Sequence, residues 1–311
     1  MSAYIGFDTS NYTTSIAGYT PETDGMCQIK KLLTVKEGEM GLRQNDAVFQ
    51  HIRQLPELAE QFLSGFPRIT AAVGASERPT QQDGSYMPCF LIGASTARTV
   101  AATLGVPYYR FTHQQGHVAA ALYGTKHTEW LERPFLAFHV SGGTTDALLV
   151  EPDEQEIIRC TLVAHSLDLK AGQLVDRVGG MLGLRFPAGP ELEKLALQAS
   201  GNYKPRIKVE NGGCHLSGVE NQCRKILDDG TPPPEIALFC LMSIYTALQG
   251  MTQYLFATYG DLPLVYAGGV MSNSILKEKL SAEFGGVFAP PVYSADNAAG
   301  IALLTSVAHN R

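Results

Sequence analysis

Residues 135–150 read FLAFHVSGGTTDALLV, which is an apolar run, a small polar turn and a second apolar run. Two short apolar runs joined by a glycine-rich turn predict a β-hairpin. Residues 4–19, YIGFDTSNYTTSIAGY, repeat this order with their turn at 9–13, where the other hairpin has 141–145. The two hairpins therefore predict an internal duplication of the chain.

Strands and helices alternate after each hairpin. After the first we expect, in order, a strand at 28–36, a helix at 46–62, a strand at 70–73, a helix at 89–104, a strand at 106–109 and a helix from 113. After the second we expect a strand at 157–163, helices at 171–184, 190–199, 217–228 and 234–258, a strand at 262–267, a helix ending near 284 and a last helix from about 298. Such alternation favours an α/β fold.

Small polar turns follow predicted strands at 9–13, 141–145 and 268–273. Glycine in such a turn lets backbone N–H groups approach a phosphate, and open α/β sheets bind ligands beyond the carboxyl ends of their strands. A duplication with three such turns fits the actin-like ATPase (ASKHA) fold, an α/β fold of two lobes, each built on a βββαβα unit. We place the N-terminal lobe at 1–133 and the C-terminal lobe, which holds a helical insertion, at 134–311.

The composition excludes several classes of protein. The chain has 311 residues, 45% of them hydrophobic, and a net charge of −6, which argues against a basic protein that coats duplexes but leaves a local basic groove open. The six cysteines form no CxxC pair, which indicates reduced thiols in a cytoplasmic protein. We find no signal peptide, and the longest apolar runs are short of a membrane span.

Residues 112–117, Thr-His-Gln-Gln-Gly-His, carry a possible metal site. Two histidines four residues apart lie on one face of a helix and can share a transition-metal ion, and Thr112 is a candidate N-cap. Two ordinary histidines on a half-buried helix would give the same pattern, since two ligands do not complete a site. Asp8, which ends the first strand, can face a phosphate or a cation, although an ordinary Ser/Asn turn is the simpler interpretation.

Seven motifs, in order along nearly the whole chain, resemble those of the TsaD family, the tRNA adenosine threonylcarbamoyltransferases formerly called O-sialoglycoprotein endopeptidases. The family's H-x-E-G-H matches 113–117, its L-V-S-G-G-H-T-x-L matches 139–147, its A-A-G-E-x-F-D-K matches 170–177, its L-G-L-x-Y-P-G-G-P matches 182–190, its F-S-G-L matches 216–219, its A-G-G-V-x-A-N matches 267–273 and its T-D-N-x-A-M-I-A matches 295–302.

The resemblance implies a ligand set and a reaction. One iron or zinc ion would be bound by His113, His117 and Asp296. An adenine nucleotide, ATP or threonylcarbamoyl-AMP, would be bound by Val140, Ser141, Gly142, Gly143, Asp176, Gly189, Gly268, Gly269 and Asn273. The amino group of a tRNA adenosine would attack the threonylcarbamoyl carbonyl and AMP would leave. The tRNA is then the acceptor, partner subunits of a threonylcarbamoylation complex are possible, and no membrane is involved.

Several departures from the family pattern keep alternatives open. The family's first turn, S-C-D-E-T, is Ser-Asn-Tyr-Thr-Thr at 10–14, its G-P-G-x-x-G-S-L loop is replaced at 78–88, and its H-x-E-G-H glutamate is Gln115. The histidine that follows S-G-G is replaced by Thr144. A net-acidic chain without an evident Lys/Arg cluster also argues against stand-alone tRNA binding. The alternatives are a catalytically altered paralogue that serves as an interaction subunit and a metallopeptidase, which would lack the glutamate of HExxH.

Overall fold

A computed structural model describes residues 2–10, 12–35, 42–66 and 69–311. Its first sheet has five strands in the order β3-β2-β1-β4-β5. The strands are β1 Ala3–Thr9, β2 Thr13–Thr20, β3 Gly25–Leu32, β4 Thr70–Arg78 and β5 Tyr108–Thr112. Strand β1 is antiparallel to β2 and parallel to β4, and β4 is parallel to β5. The predicted hairpin is therefore present, although Asn11 in its turn and Lys36 of the predicted third strand lie outside the described residues.

Helices α1 Gln44–Gly65 and α2 Phe90–Leu104 connect strands of this sheet, and α3 His113–Thr125 follows β5. Helix α1 buries one face, including Leu55, Leu58 and Phe62, and these side chains join Ile5 and Phe7 of β1 in one hydrophobic core. Burial of this apolar stripe fixes α1 on the sheet.

The second sheet repeats the topology of the first. Its order is β12-β11-β6-β7-β8, which is the first order with β6, β7, β8, β11 and β12 in the places of β1 to β5. Its strands are β6 Phe135–Val140, β7 Thr145–Asp153, β8 Ile157–His165, β11 Leu264–Ala267 and β12 Val287–Phe288. A separate two-stranded antiparallel sheet consists of β9 Val209–Glu210 and β10 Gly213–Cys214. Because β11 is parallel to both β6 and β12, the duplication extends to strand direction. The predicted duplicated α/β fold is confirmed.

The remaining helices are α4 Ala171–Met181, α5 Gly189–Ala196, α6 Ser217–Asp228, α7 Pro233–Tyr259, α8 Ser274–Phe284, α9 Pro291–Ser294 and α10 Ala299–Asn310. Helix α7 is the central helix of the second core, with Ile236, Leu241 and Leu255 buried. With 27 residues it is long and apolar enough to cross a membrane, unlike the short runs expected from the sequence, and 61% of its most apolar window is buried. The uninterrupted apolar runs within α7 are short, because Ser, Thr and Gln residues stand between them. These polar residues do not end the helix, so α7 is longer than any one run.

The chain divides into two compact units that are discontinuous in sequence. Unit 1 comprises Met1–Arg133, Glu151–Cys160 and Val292–Arg311, and unit 2 comprises Pro134–Val150 and Thr161–Pro291. The sequence-based division into 1–133 and 134–311 shares the boundary after Arg133, but Glu151–Cys160 and Val292–Arg311 also belong to unit 1. Val292–Arg311 belongs there because α10 packs on the first sheet. A Cβ atom at Gly6 of β1 would lie 2.4 Å from the Ala302 nitrogen of α10, so the strand and the helix touch through their backbones.

Candidate metal centre and nucleotide-binding turns

Helix α3 begins at the histidine pair. The Thr112 hydroxyl accepts a hydrogen bond from the Gln115 backbone N–H at 3.1 Å, and the Gln115 carboxamide oxygen accepts one from the Thr112 N–H at 2.8 Å. This capping box confirms the predicted N-cap and fixes the first turn of the helix. The rings of His113 and His117 project from successive turns, and their Nε2 atoms are 2.9 Å apart.

Asp296 completes a cluster of three possible ligands in unit 1. Its Oδ1 atom lies 3.2 Å from His117 Nε2 and 3.6 Å from His113 Nε2. Asp296 does not cap the helix that follows it, because the Asn297 side chain accepts the hydrogen bond from the Ala299 N–H at 2.9 Å. Asp296 therefore stands free of the helix and faces the histidines.

Two glycines bring α3 and α10 close enough to form this cluster. A Cβ atom at Gly300 of α10 would lie 1.8 Å from the Gly116 carbonyl oxygen of α3. The helices therefore meet backbone to backbone, one residue before His117 and four residues after Asp296. Close packing of the two helices sets the separation of ligands that are distant in the sequence.

The three donor groups fit a divalent transition metal. Their ligand atoms all lie within 4.8 Å of one another, and the three separations given above run from 2.9 to 3.6 Å. Two ligands bonded to one ion at about 2.0–2.1 Å are roughly 2.9–3.4 Å apart for angles between 90° and the tetrahedral value. Two imidazoles and a carboxylate are the donors that zinc and iron accept, with coordination positions left open.

A second layer of hydrogen bonds orients the three ligands. Asp8 Oδ1 lies 2.9 Å from His113 Nδ1 and also accepts from the Ser76 hydroxyl, which leaves His113 Nε2 to face the cluster. The Ser10 hydroxyl donates to Asp296 Oδ2 at 2.9 Å, which leaves Oδ1 toward the histidines. Buried His51 in turn contacts the Ser10 carbonyl oxygen through Nε2 at 2.8 Å. Such partners fix the orientation of metal ligands.

The charges of the cluster favour a bound cation. Burial lowers the pKa of His113, but the carboxylates of Asp8 and Asp296 outweigh it and raise that pKa to about 10. Burial raises the pKa of Asp296, but hydrogen bonds and charge interactions with His113 and His117 hold that pKa well below its usual value. Two carboxylates therefore surround the histidines with negative charge. One carboxylate oxygen, Asp8 Oδ2, is buried without a hydrogen-bond partner among the described residues.

The glycine turns predicted to hold a nucleotide lie at the carboxyl ends of β6 and β11, in unit 2. Val140 ends β6, and a Cβ atom at Gly268, just after β11, would lie 2.2 Å from the Val140 carbonyl oxygen. The Ser141 carbonyl oxygen accepts from the Gly172 N–H at 3.1 Å, so the first turn of α4 rests on the turn that follows β6. Gly142 and Gly143 are exposed, and a Cβ atom at either would meet nothing within 4 Å. Open glycines beside a helix start suit an anion.

The other residues predicted to bind the nucleotide lie at helix starts or hold a turn before a helix: Asp176, Gly189 and Asn273. Asp176 Oδ1 accepts from the Ala188 N–H at 2.9 Å and so holds the turn that leads into α5, whose first residue is Gly189. The Asn273 side chain caps α8 by accepting from the Leu276 N–H at 3.1 Å. Gly269 begins a 3-10 turn that ends at Ser272, just before this cap. Asp176 and Asn273 each use one side-chain oxygen for these structural hydrogen bonds. Contacts of either residue with a nucleotide stay a prediction.

Sequence reasoning missed the partners of the ligands. The ordinary-turn interpretation preferred for Asp8 overlooked its contact with His113, and neither His51 nor the role of Gln115 was recognised. Gln115 donates from its amide nitrogen to the Glu156 and Ile158 carbonyl oxygens at 3.0 and 2.9 Å. Only the apolar context of Asp8, a carboxylate at the end of a buried strand, was a signal in the sequence.

A model of the TsaD family, described as tRNA N6-adenosine threonylcarbamoyltransferase, matches residues 47–303. The chain belongs to this family. It is 30% identical to the tRNA N6-adenosine threonylcarbamoyltransferase of Thermus thermophilus, over 84% of this chain and 79% of that protein. It is 26% identical to the enzyme of the same name from Methanopyrus kandleri, over 98% of this chain and 87% of that one. The resemblance deduced from the seven motifs is confirmed.

Solved structures support the fold independently. The chain superposes on full-length HypF with a TM-score of 0.60 and 13% identity, over 99% of this chain and 55% of HypF. It superposes on component A of the (R)-2-hydroxyglutaryl-CoA dehydratase of Acidaminococcus fermentans with a TM-score of 0.58 and 13% identity, over the whole of both chains. A ROK hexokinase from Thermus thermophilus gives a TM-score of 0.53 and 13% identity over 99% of both. These are actin-like ATPase folds, as predicted for this chain.

Proposed function

We propose that this protein transfers a threonylcarbamoyl group from threonylcarbamoyl-AMP to the N6 amino group of an adenosine in tRNA. Membership of a family whose members carry that name is the observation that supports the reaction most directly. The convergence of His113, His117 and Asp296 supports a metal-dependent form of it. In the reaction N6 forms a bond to the carbamoyl carbon and loses a proton, the bond to the AMP phosphate oxygen breaks, and AMP leaves.

The residues of this chain would divide the work as follows. His113, His117 and Asp296 would hold one divalent iron or zinc ion, which when bound supplies a Lewis acid for the phosphate and carbonyl oxygens. Asp8 would keep His113 oriented through Nδ1, and Ser10 would keep Asp296 oriented through Oδ2. The backbone of residues 140–143 and 268–269, with Asp176, Gly189 and Asn273, would hold the adenine nucleotide.

The departures from the family pattern are compatible with activity. Gln115 uses both polar atoms of its side chain to hold Thr112 and the 156–158 backbone, so it has a structural role rather than that of a missing base. Ser10 and Thr13 of the first turn point their hydroxyls at Asp296 Oδ2, at 2.9 and 3.5 Å. The metallopeptidase alternative is weaker because α3, HQQGHVAAALYGT, contains no carboxylate that could serve as the base.

We also propose the cellular setting. A tRNA substrate and six free cysteines, five of them buried, fit a reducing cytoplasm. Partner subunits of a tRNA threonylcarbamoylation complex would supply what the replaced 78–88 loop does not.

A single-turnover assay tests the proposal. Protein loaded with Fe²⁺ or Zn²⁺ would be mixed with threonylcarbamoyl-AMP and unmodified tRNA, with and without the partner subunits of the host. We expect modified adenosine from the wild-type protein, and a loss of at least about 100-fold in Asp296→Asn and His113→Ala, which each remove one of three ligands. His127→Ala, which alters a histidine paired with Glu129 away from the cluster, is the matched control and should retain full activity.

Metal content would be measured on the same samples by elemental analysis. Product that forms equally with and without metal would contradict the metal-dependent mechanism. If metal and nucleotide bind in a 1:1 ratio and no tRNA product forms with any set of partners, the transferase proposal is wrong.

A further inference from the structure

Residues 201–210 form an extended segment that lies along α7 in unit 2. At its start the Tyr203 ring packs edge-on against Phe239, with ring centroids 5.7 Å apart, and the Tyr203 hydroxyl donates to Glu235 at 2.9 Å. At its end a Cβ atom at Gly250 would lie 2.8 Å from Val209. Between Phe239 and Gly250 the helix axis rises about 16 Å, at about 1.5 Å per residue. The six residue steps from Tyr203 to Val209 can span this distance only if the chain is extended, at about 3.3 Å per residue. The segment therefore follows the helix in an extended conformation.

Side chains alternate strictly along this segment. Tyr203, Pro205, Ile207 and Val209 are half-buried, and Lys204, Arg206, Lys208 and Glu210 are exposed. Ile207 and Val209 pack against the core that contains α7. Because an extended chain has a period of two residues, the three cations project from the side opposite the helix, with spacings of roughly 6.5 Å.

Two of these cations have no partner among the residues that the structure describes. Within residues 2–10, 12–35, 42–66 and 69–311, no hydrogen bond or ion pair of the Lys204 or Arg206 side chain is found. Lys208 is paired with Glu210 at 2.7 Å, and both side chains of that pair are more than half exposed. Although the protein has a net charge of −6, the exposed side of this segment carries three cations in a row.

We infer that Lys204, Arg206 and Lys208 bind successive phosphates along one strand of the tRNA. The inference rests on the proposed function and adds the surface that would hold the acceptor. Evenly spaced cations on an extended backbone match the regular repeat of phosphates along a nucleic acid strand, and such contacts supply affinity without sequence readout. A lipid surface would favour apolar side chains among the cations, whereas the apolar side chains of this segment turn toward α7.

The test is the salt dependence of tRNA binding by the full chain. The Kd for unmodified tRNA would be measured at several KCl concentrations between about 0.05 and 0.5 M. The slope of log Kd against log salt then reports the number of phosphate contacts. Loss of two phosphate contacts in Lys204→Ala/Arg206→Ala should reduce the slope by about 1.5 to 2 and weaken binding at 0.1 M by roughly 30-fold. Glu210→Gln frees Lys208 and should tighten binding. The control is Lys277→Ala/Lys279→Ala, which removes the same charge from α8 and should leave the slope unchanged.

Each outcome of this test decides the inference. Equal slopes in the segment variant and the α8 control would overturn it, as would wild-type binding to phosphatidylserine vesicles but not to tRNA at the same salt concentration. A reduced slope in the segment variant supports it. The single-turnover assay run on the same proteins separates the two claims, because wild-type protein that binds tRNA with the expected slope but makes no product contradicts only the proposed function.

Discussion

The turn between β1 and β2 and the turn between β6 and β7 occupy equivalent places in two sheets of the same topology, yet they present different chemistry. In the first turn Ser10 and Thr13 are buried, and their hydroxyls point at Asp296. In the second turn Gly142 and Gly143 are exposed, with open space where a side chain would be. The duplicated fold supplies a turn at each place, and the residues in it decide whether side chains or backbone are offered to a ligand.

Two glycines of the second unit are expected to respond differently to substitution, because Gly268 is tightly packed and Gly142 lies in open space. Gly268→Ala places a Cβ atom 2.2 Å from the Val140 carbonyl oxygen at a residue with φ of +100°. We expect the free energy of unfolding to fall by about 3 kcal/mol or more, since close contact and backbone strain add. Urea unfolding measures it.

Gly142→Ala is the matched substitution in open space. It should change the free energy of unfolding by less than about 0.5 kcal/mol. Its methyl group fills space that the nucleotide would occupy, so ATP binding by calorimetry should weaken by on the order of tenfold if that turn holds the nucleotide. Unchanged ATP affinity in Gly142→Ala would remove the turn from the site.

Asp8→Asn tests the side-chain chemistry of the first unit. The substitution keeps an acceptor near His113 Nδ1 but removes the carboxylate charge. We expect metal affinity to fall by about 10- to 100-fold, as for other groups that orient a metal-bound histidine. Competition with a chromophoric chelator measures the affinity, and ATP binding should stay at the wild-type value. A variant with wild-type metal affinity would show that His113 is oriented by packing alone.

Gln115→Glu restores the residue that the family motif has at this position. The carboxylate would face the carbonyl oxygens of Glu156 and Ile158, to which the Gln115 amide now donates at 3.0 and 2.9 Å. The variant should lose about 1–3 kcal/mol in the free energy of unfolding. Gln114→Glu adds the same charge one residue earlier and is the control. Equal stability of the two variants would show that these two hydrogen bonds contribute little.

Substitution of Asp168, in the second unit, should give the smallest effect, a change in how stability depends on pH. Burial raises the pKa of Asp168, but hydrogen bonds from the Ser217 hydroxyl and from the Leu216, Leu169 and Ser217 N–H groups outweigh it and lower that pKa to about 2. Because the folded pKa lies below the ordinary 3.8, the carboxylate stabilises the fold above about pH 4, and this contribution is lost as pH falls toward 2. In acid unfolding Asp168→Asn should show a weaker loss of stability in this window than the wild type, and the exposed Glu278→Gln should behave like the wild type.

Local patterns predicted most of the elements. The hairpin expected at 4–19 spans Ala3–Thr9 and Thr13–Thr20, because apolar runs and a polar turn are adjacent in sequence. The strand expected at 106–109 instead spans Tyr108–Thr112, since pairing with β4 fixes its ends and Pro107 precedes it. The third strand, expected at 28–36, spans Gly25–Leu32 because it pairs with β2 from Thr20 back to Thr13.

The site was predictable only where its residues are neighbours in the chain. The histidine pair and its Thr112 cap follow from helical spacing. Asp296 was assigned by family resemblance, since no local pattern connects it to α3. Asp8 lies 105 residues from His113, and the contact depends on where β1 ends relative to α3, which a single sequence does not encode locally. The cations of 201–210 were missed because two-residue spacing does not resemble a cluster until the backbone is known to be extended.

The hydrogen bond from Ser10 to Asp296 joins residues separated by 286 positions. At the ribosome, where roughly 5–20 residues are added each second, the first hairpin is complete some 15 to 60 seconds before its carboxylate partner is synthesised. A nascent chain that has reached α3 displays two histidines and Asp8 without Asp296 and without the helix that aligns it. The three-ligand set proposed for the metal ion is therefore complete only in chains whose translation has passed Asp296.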